Sequence, residues 1–240
     1  NMHLSATLGG WCFFFFIFDE KTGVLETPRY VDNGDITYQL FDNVDFSGEV
    51  QTKILEINSK TGLYPLYITY SLFRRRLDEY IKAECIDPST VSVQEEQVVW
   101  DDIVTDNVFV ICNTPMAVGI TRRTLFGFRE VEKKANIKNE LLIERASNDQ
   151  ETLVTELKNL GFWKGTTSKQ MIRFNAVVGN PPYNETSDVN NRNNPIYHYF
   201  YDLSEKLSKV YTLISPARFL FDAGLTPAVW NKKMLSDEHL

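Results

Sequence analysis

The sequence predicts an α/β domain built on a mainly parallel sheet, and three observations carry that expectation. Short apolar runs at 53–57, 108–112, 174–178 and 210–214 alternate with longer segments of helical apolar spacing, the signature of strands joined by crossover helices. The chain is 240 residues long and 43% hydrophobic, enough to bury one sizeable core. The run from Phe174 to Val178 is short, β-branched and bounded by Gly179, which suits a central strand better than a helix.

In chain order, residues 1–50 read as a strand-rich extension. Cys12 to Phe18 is strand-like, Asp19 to Gly23 is a turn, and Val24-Leu25 closes a hairpin packed on the main domain. Asn1 before Met2 reads as a tag remnant. Residues 51–240 form the main domain. Lys53 to Ile57 is a buried strand, Asn58 to Gly62 a polar loop, and Leu63 to Ile81 a helix with Pro65 in its first turn. Glu84 to Asn107 reads as a polar, irregular connection. Val108 to Cys112 is the next strand, followed by a helix capped by Asn113 or Thr114 with Pro115 at its start. Arg129 to Asn139 reads as a charged, solvated stretch, and Leu141 to Phe162 as one helix ended by Gly161. After Tyr183 comes an asparagine-rich loop, 184–194. Pro195 starts a helix and Val210 to Ile214 forms a last strand.

Composition excludes several classes. A formal net charge of −7 argues against a dedicated nucleic-acid-binding module, though not against an enzyme that grips DNA locally. Cys12, Cys85 and Cys112 have no disulfide or zinc spacing, which points to a reducing cytoplasm. His3, His198 and His239 are isolated, so no metal site is expected. The apolar run at 11–18 is far too short to cross a bilayer. Arg74 to Arg76 and Lys133-Lys134 read as solvated faces.

The chemistry gathers at Asn180-Pro181-Pro182-Tyr183. Proline cannot donate to a sheet ladder, so the strand stops at Asn180. The residue before a proline is held extended, which projects the Asn180 amide past the strand end. Pro181 and Pro182 then fix the backbone and its carbonyls, and Tyr183 offers a flat stacking face. An amide, a fixed carbonyl and an aromatic ring suit a planar group that presents an NH2, such as a flipped base. Upstream, Glu56 sits at the end of a strand–loop–helix unit, the layout of a nucleotide or nucleoside pocket.

Asn180 to Tyr183 resembles the Asn-Pro-Pro-Tyr motif of S-adenosylmethionine-dependent amino-group methyltransferases, above all the N6-adenine DNA methyltransferases of type II restriction–modification enzymes. The resemblance implies a Rossmann-like sheet. It assigns Asn180 and the Pro181 carbonyl as acceptors for the adenine amino group, with Pro182 in the same rigid turn and Tyr183 as the stacking residue. The segment from Thr52 to Tyr70 looks like a variant of that family's cofactor loop. Glu56 takes the acidic position, Gly62 the final glycine and Lys60 the middle glycine, with Asn58 and Thr61 completing the loop. A lysine there is expected to distort the loop if positive φ is needed. Cys112 stands where the resemblance places a ribose ligand but reads as a buried strand residue, so the role falls to Asn113, the next residue. Thr212 to Phe221 resembles a structural strand and turn of the DNA adenine enzymes.

The implied cofactor is S-adenosylmethionine. The implied partners are double-stranded DNA and a nuclease or specificity region or subunit, without a membrane. The resemblance runs from Lys53 to the end of the chain, so the family's last strands and target-recognition domain are expected to lie outside it. Two other readings stay open: the same transfer to a protein glutamine or an RNA base, and a degenerate module without catalysis.

Overall fold

The computed structural model describes residues 52–186, 193–221 and 226–237, with six short strand pieces between residues 9 and 40. Those pieces pair antiparallel: Gly9–Trp11 with Tyr38–Leu40, Phe14–Phe15 with Arg29–Tyr30, and Phe18–Asp19 with Val24–Leu25. The other residues of the expected aromatic strand, the turn at 20–23 and the loop tip at 187–192 lie outside the described residues.

The main domain runs β1 (Ile54–Ser59), α1 (Leu63–Glu84), α2 (Val93–Asp106), β2 (Val108–Cys112), α3 (Pro115–Phe126), β3 (Asn136–Asn139), α4 (Leu142–Asn148), α5 (Gln150–Leu157), α6 (Leu160–Lys164) and β4 (Ala176–Gly179). It continues through the antiparallel pair β5 (Asn184–Thr186) and β6 (Asn193–Pro195), then α7 (Tyr197–Leu207), β7 (Tyr211–Leu213) and α8 (Ala228–Leu235). Five strands form one parallel sheet in the order β7-β4-β1-β2-β3. The fold is therefore the Rossmann-like α/β sheet that the sequence predicts.

Period-two alternation distributes the strand side chains to two cores. Leu55, Ile57, Phe109, Ile111 and Val177 face the layer formed by α4 to α7, where Trp163, Phe174, Phe200 and Leu203 are buried. Ile54, Val108, Val110, Ala176 and Val178 face the opposite layer with Ile68, Leu72 and Ile103 of α1 and α2. Covered on both faces, the strands read as continuous apolar runs. Phe109 anchors one core, edge-on to Trp163 at 5.1 Å and to Phe174 at 5.3 Å.

Two buried asparagines, Asn107 and Asn136, and the half-buried Asn175 fix the register where strands begin. The Lys53 amide donates to Asn175 Oδ1 at 2.9 Å, Asn107 Nδ2 donates to the Thr52 carbonyl at 2.7 Å, and Asn136 Nδ2 donates to the Thr105 carbonyl at 2.7 Å. Each satisfies main-chain groups that the ladder leaves over at its end.

Several sequence expectations are corrected. The connection expected at 84–107 holds a 14-residue helix, α2. Its Ser92 and Glu95 form a reciprocal capping box, and only Ile103, Val104 and Thr105 are buried, so its apolar signal is confined to one end. The charged stretch ends in β3, an edge strand whose Asn136 is fully buried and makes two side-chain bonds to main-chain carbonyls. The single helix expected at 141–162 is three short ones; Asp149 and Asn159 interrupt it, and the Asn159 side chain accepts from the Gly161 amide. Pro195 ends β6, and the helix begins two residues later at Tyr197.

Gly179 is required by packing. A Cβ there would lie 2.4 Å from the Ile57 carbonyl oxygen and 2.6 Å from Ile57 Cγ1. Gly179→Ala is expected to force β1 and β4 apart and lower the unfolding free energy by about 1–3 kcal/mol, read by urea denaturation. An unchanged midpoint would contradict this account of the strand contact.

Candidate active site

The strand order reverses between β1 and β4. From β1 the chain runs outward through β2 to β3, then returns to place β4 and β7 on the other side. In open parallel sheets the crevice at such a reversal, beyond the carboxyl ends of the strands, is where ligands bind. Here those ends carry the two segments singled out in the sequence. Glu56, Asn58, Ser59, Lys60, Thr61, Gly62, Leu63, Tyr64 and Asn180 line one cleft of about 220 Å³.

β1 is longer than the sequence implies, and its last residues carry a bulge. The pairing with β2 shifts between Ile57 and Ser59, which leaves Asn58 as the extra residue, at φ 65°. Asparagine is among the few residues that tolerate this left-handed geometry, and a bulge commonly re-aims a side chain at a functional site. The Asn58 amide is turned across the sheet and donates through Nδ2 to the Asn180 main-chain carbonyl at 2.7 Å. Asn58 is only 5% exposed.

The expected strain at Lys60 is absent. Among the described residues the positive-φ positions of this loop are Asn58 and Gly62, and Lys60 is exposed with an ordinary backbone. Gly62, at φ 75°, cannot be replaced cheaply, since a Cβ there would meet the Thr121 main chain at 2.9 Å. The loop is also pinned from α3: the Thr124 hydroxyl donates to the Thr61 carbonyl at 2.8 Å, and the Ser59 and Thr121 hydroxyls lie 3.3 Å apart.

Glu56 is the electrostatic centre of the cleft. It is 4% exposed, and its Oε2 is buried without a hydrogen-bond partner. Burial pushes its carboxyl up to about 8, with the Ser59 side chain acting in the opposite direction. The group is thus a protonated acid at neutral pH. The same carboxyl and Tyr183 raise the hydroxyl of Tyr64 on α1, after burial as the larger cause. Helix α1 starts at this cleft with Gly62 as its cap, no side-chain cap and no acidic residue in its first turn. Its first amides therefore present an uncompensated positive end.

On the other wall, β4 ends at Gly179 and Asn180-Pro181-Pro182-Tyr183 turns away from the sheet. The Tyr183 hydroxyl donates to Asn180 Oδ1 at 2.7 Å, so the Asn180 side chain is oriented by the residue three positions on. A carbonyl oxygen has two lone pairs, and one bond leaves a second for another donor. The Ile196 amide donates to the Tyr183 carbonyl at 2.9 Å, tying the turn to the start of α7. Pro181 is buried and Pro182 and Tyr183 are half-buried.

Six of the ten predicted residues (Glu56, Asn58, Lys60, Thr61, Gly62 and Asn180) line this cleft, and Pro181, Pro182 and Tyr183 follow Asn180 in the turn beside it. Asn113 lies beyond β2, half-buried and outside the cleft lining, because Thr114, whose side chain caps α3, directs the chain away. Cys112 is buried against Thr121, and burial pushes its thiol up to about 11, so it is an inert strand residue. Sequence reading missed Ser59, Leu63 and Tyr64 as lining residues. Tyr64 was detectable as an aromatic in the first helical turn two positions after Gly62. Among the described residues there is no metal-ligating cluster, and no helix is long and apolar enough to cross a membrane.

The protonated state of Glu56 has a measurable consequence. Its folded value lies above the unfolded carboxylate range, so the buried acid costs nothing extra below pH 4.5 and destabilises the fold progressively as pH rises towards 8. Wild type is expected to lose stability relative to Glu56→Gln between pH 5 and 8, by at most about 1.4 kcal/mol per pH unit. Urea unfolding of both proteins across that range tests it, and a pH-independent difference would show that Glu56 is ionised in the fold.

Residues 106–240 match the Eco57I restriction-modification methylase family. No curated protein matches the chain.

Proposed function

Since the chain belongs to the Eco57I restriction-modification methylase family, we propose that it transfers a methyl group from S-adenosylmethionine to N6 of an adenine flipped out of duplex DNA. The observation that carries this reading is the position of Asn180-Pro181-Pro182-Tyr183: it ends β4 at the reversal of strand order, with Asn180 lining the same cleft as Glu56 and Gly62.

The cleft residues fit the methyl donor. Glu56 supplies a buried carboxyl with an unpartnered oxygen, suited to a hydroxyl donor. The amino end of α1 suits a carboxylate. When bound, S-adenosylmethionine supplies an electrophilic methyl carbon on a sulfonium centre. Everything else is the work of this chain. Asn180 Oδ1 and the Pro181 carbonyl accept hydrogen bonds from the two protons of the adenine amine, which draws its nitrogen towards a tetrahedral shape with its lone pair exposed. Those same oxygens would stabilise the positive charge that grows on the amine nitrogen as it takes up the methyl group, and the proton it then sheds would pass to solvent. The Tyr183 ring stacks on the base and holds it in line, where orientation contributes up to about 7–11 kcal/mol in ideal cases. The Tyr183 hydroxyl, bonded to Asn180 Oδ1, fixes the direction of the acceptor before the base arrives.

Duplex DNA is the proposed partner. Flipping costs a few kcal/mol of lost stacking, which the Tyr183 face offsets in part.

The test is methyl transfer to adenine-containing duplex DNA by the intact protein, with S-adenosylmethionine binding measured by calorimetry. Asn180→Ala is expected to abolish transfer while leaving donor binding within about threefold. Normal transfer in this variant would remove Asn180 from its role. Tyr183→Ala is expected to weaken binding of an extrahelical base by about 1–3 kcal/mol, read by 2-aminopurine fluorescence. Methylation of cytosine or protein in place of adenine would overturn the substrate assignment.

A further inference from the structure

The two walls of the cleft come from distant parts of the chain, and one side-chain hydrogen bond joins them. Asn58 Nδ2 donates to the Asn180 main-chain carbonyl at 2.7 Å, across 122 residues of sequence. Three features mark this bond as built. Asn58 occupies the extra position of a bulge, at φ 65°, a geometry that costs most residues about 1–3 kcal/mol. Its side chain is buried, so its amide must find partners within the protein. Its target is the peptide group directly before Pro181, so a shift of that carbonyl moves the peptide plane carrying the Pro181 ring.

We propose that Asn58 is a positioning residue for methyl transfer, which locks the acceptor turn to the donor loop through the Asn180 carbonyl and makes occupation of one half of the cleft order the other. This deepens the methyltransferase reading and rests on it.

The logic is geometric. Asn180 is held twice, through its side-chain oxygen by Tyr183 and through its main-chain oxygen by Asn58. The Tyr183 bond is local and moves with the turn. The Asn58 bond refers the turn to β1, the strand that also carries Glu56 and leads into Gly62. The two acceptors assigned to the substrate amine, Asn180 Oδ1 and the Pro181 carbonyl, both belong to the turn that this bond anchors. A donor bound against Glu56 and the start of α1 also fixes the loop that contains Asn58, and so fixes the turn. In-line transfer depends on the relation between these two loops more than on either alone, since an ångström of misplacement costs about 100-fold in rate.

Asn58→Gly tests this, because glycine keeps the left-handed backbone and removes only the amide. In the intact protein the maximal rate of methyl transfer is expected to fall at least about 10-fold, with donor affinity for S-adenosylmethionine changed less than about threefold. Asn58→Asp, which keeps the shape but loses the donor, is expected to behave alike. Hydrogen exchange gives a readout that needs no turnover. The peptide spanning 180–186 is expected to exchange faster in Asn58→Gly, while peptides from β1 and β2 keep their protection. S-adenosylmethionine is expected to slow exchange of 180–186 in wild type and not in the variant. An unchanged maximal rate, or unchanged exchange at 180–186, overturns the proposal. A loss of donor affinity beyond about 10-fold with the maximal rate retained also overturns it, since Asn58 would then be a ligand. A wild type that binds no S-adenosylmethionine sinks the methyltransferase reading instead, and the exchange comparison between the two unliganded proteins still decides whether the lock exists.

Discussion

The closeness of β1 and β4 is the constraint on which the rest of the structure depends. Gly179 pairs with Ile57 in a parallel ladder, and the absence of a side chain at Gly179 lets the strands meet where a methyl group would collide with the Ile57 carbonyl. Both strands end within a residue or two of that contact. The loop after β1 and the turn after β4 therefore start from one fixed point, although Asn58 and Asn180 lie 122 residues apart in sequence. Helices α1 to α6 and strands β2 and β3 fill that interval, widen the sheet on one side and supply Thr121 and Thr124, which hold the loop from α3.

The cleft carries stability costs that the cores offset. Glu56 is a buried acid with an unpartnered oxygen, and Asn58 and Gly62 hold left-handed backbone in the same short loop. Strain and unsatisfied polarity concentrated in one place mark a site more often than a packing defect. The surrounding strands show the opposite character: Leu55, Ile57, Phe109, Ile111, Val177 and Val178 are fully buried, and asparagines fix the register at the far ends. The sheet is rigid where it begins and specialised where it ends.

Much of this was legible in the sequence, for physical reasons that differ by element. β1, β2 and β4 are buried on both faces, so composition alone revealed them, and Pro181 with Pro182 marked where β4 must stop. Helix α2 was not legible, because its buried residues cluster at one end and its exposed turns are as polar as a loop. β3 was hidden for a related reason: an edge strand of four residues with one buried asparagine carries no apolar run. In the site, the turn at Asn180 to Tyr183 stood out because its prolines stop the strand beside an amide and an aromatic ring. The Asn58 bond was invisible because it joins segments that sequence spacing cannot bring together. Tyr64 was overlooked as one more aromatic on an apolar helix face, and Asn113 sits where the end of β2 turns into α3, outside the cleft lining.

The bulge at Asn58 lets this loop hold two left-handed positions with a single glycine. A loop that needed positive φ at position 60 would be bound to glycine there. The left-handed residues are instead Asn58 and Gly62, and the Asn58 side chain makes a bond no glycine could make. Lys60, on the rim of the cleft, carries no such backbone demand. The loop is held by one residue suited by its missing side chain and by another suited by the side chain it has.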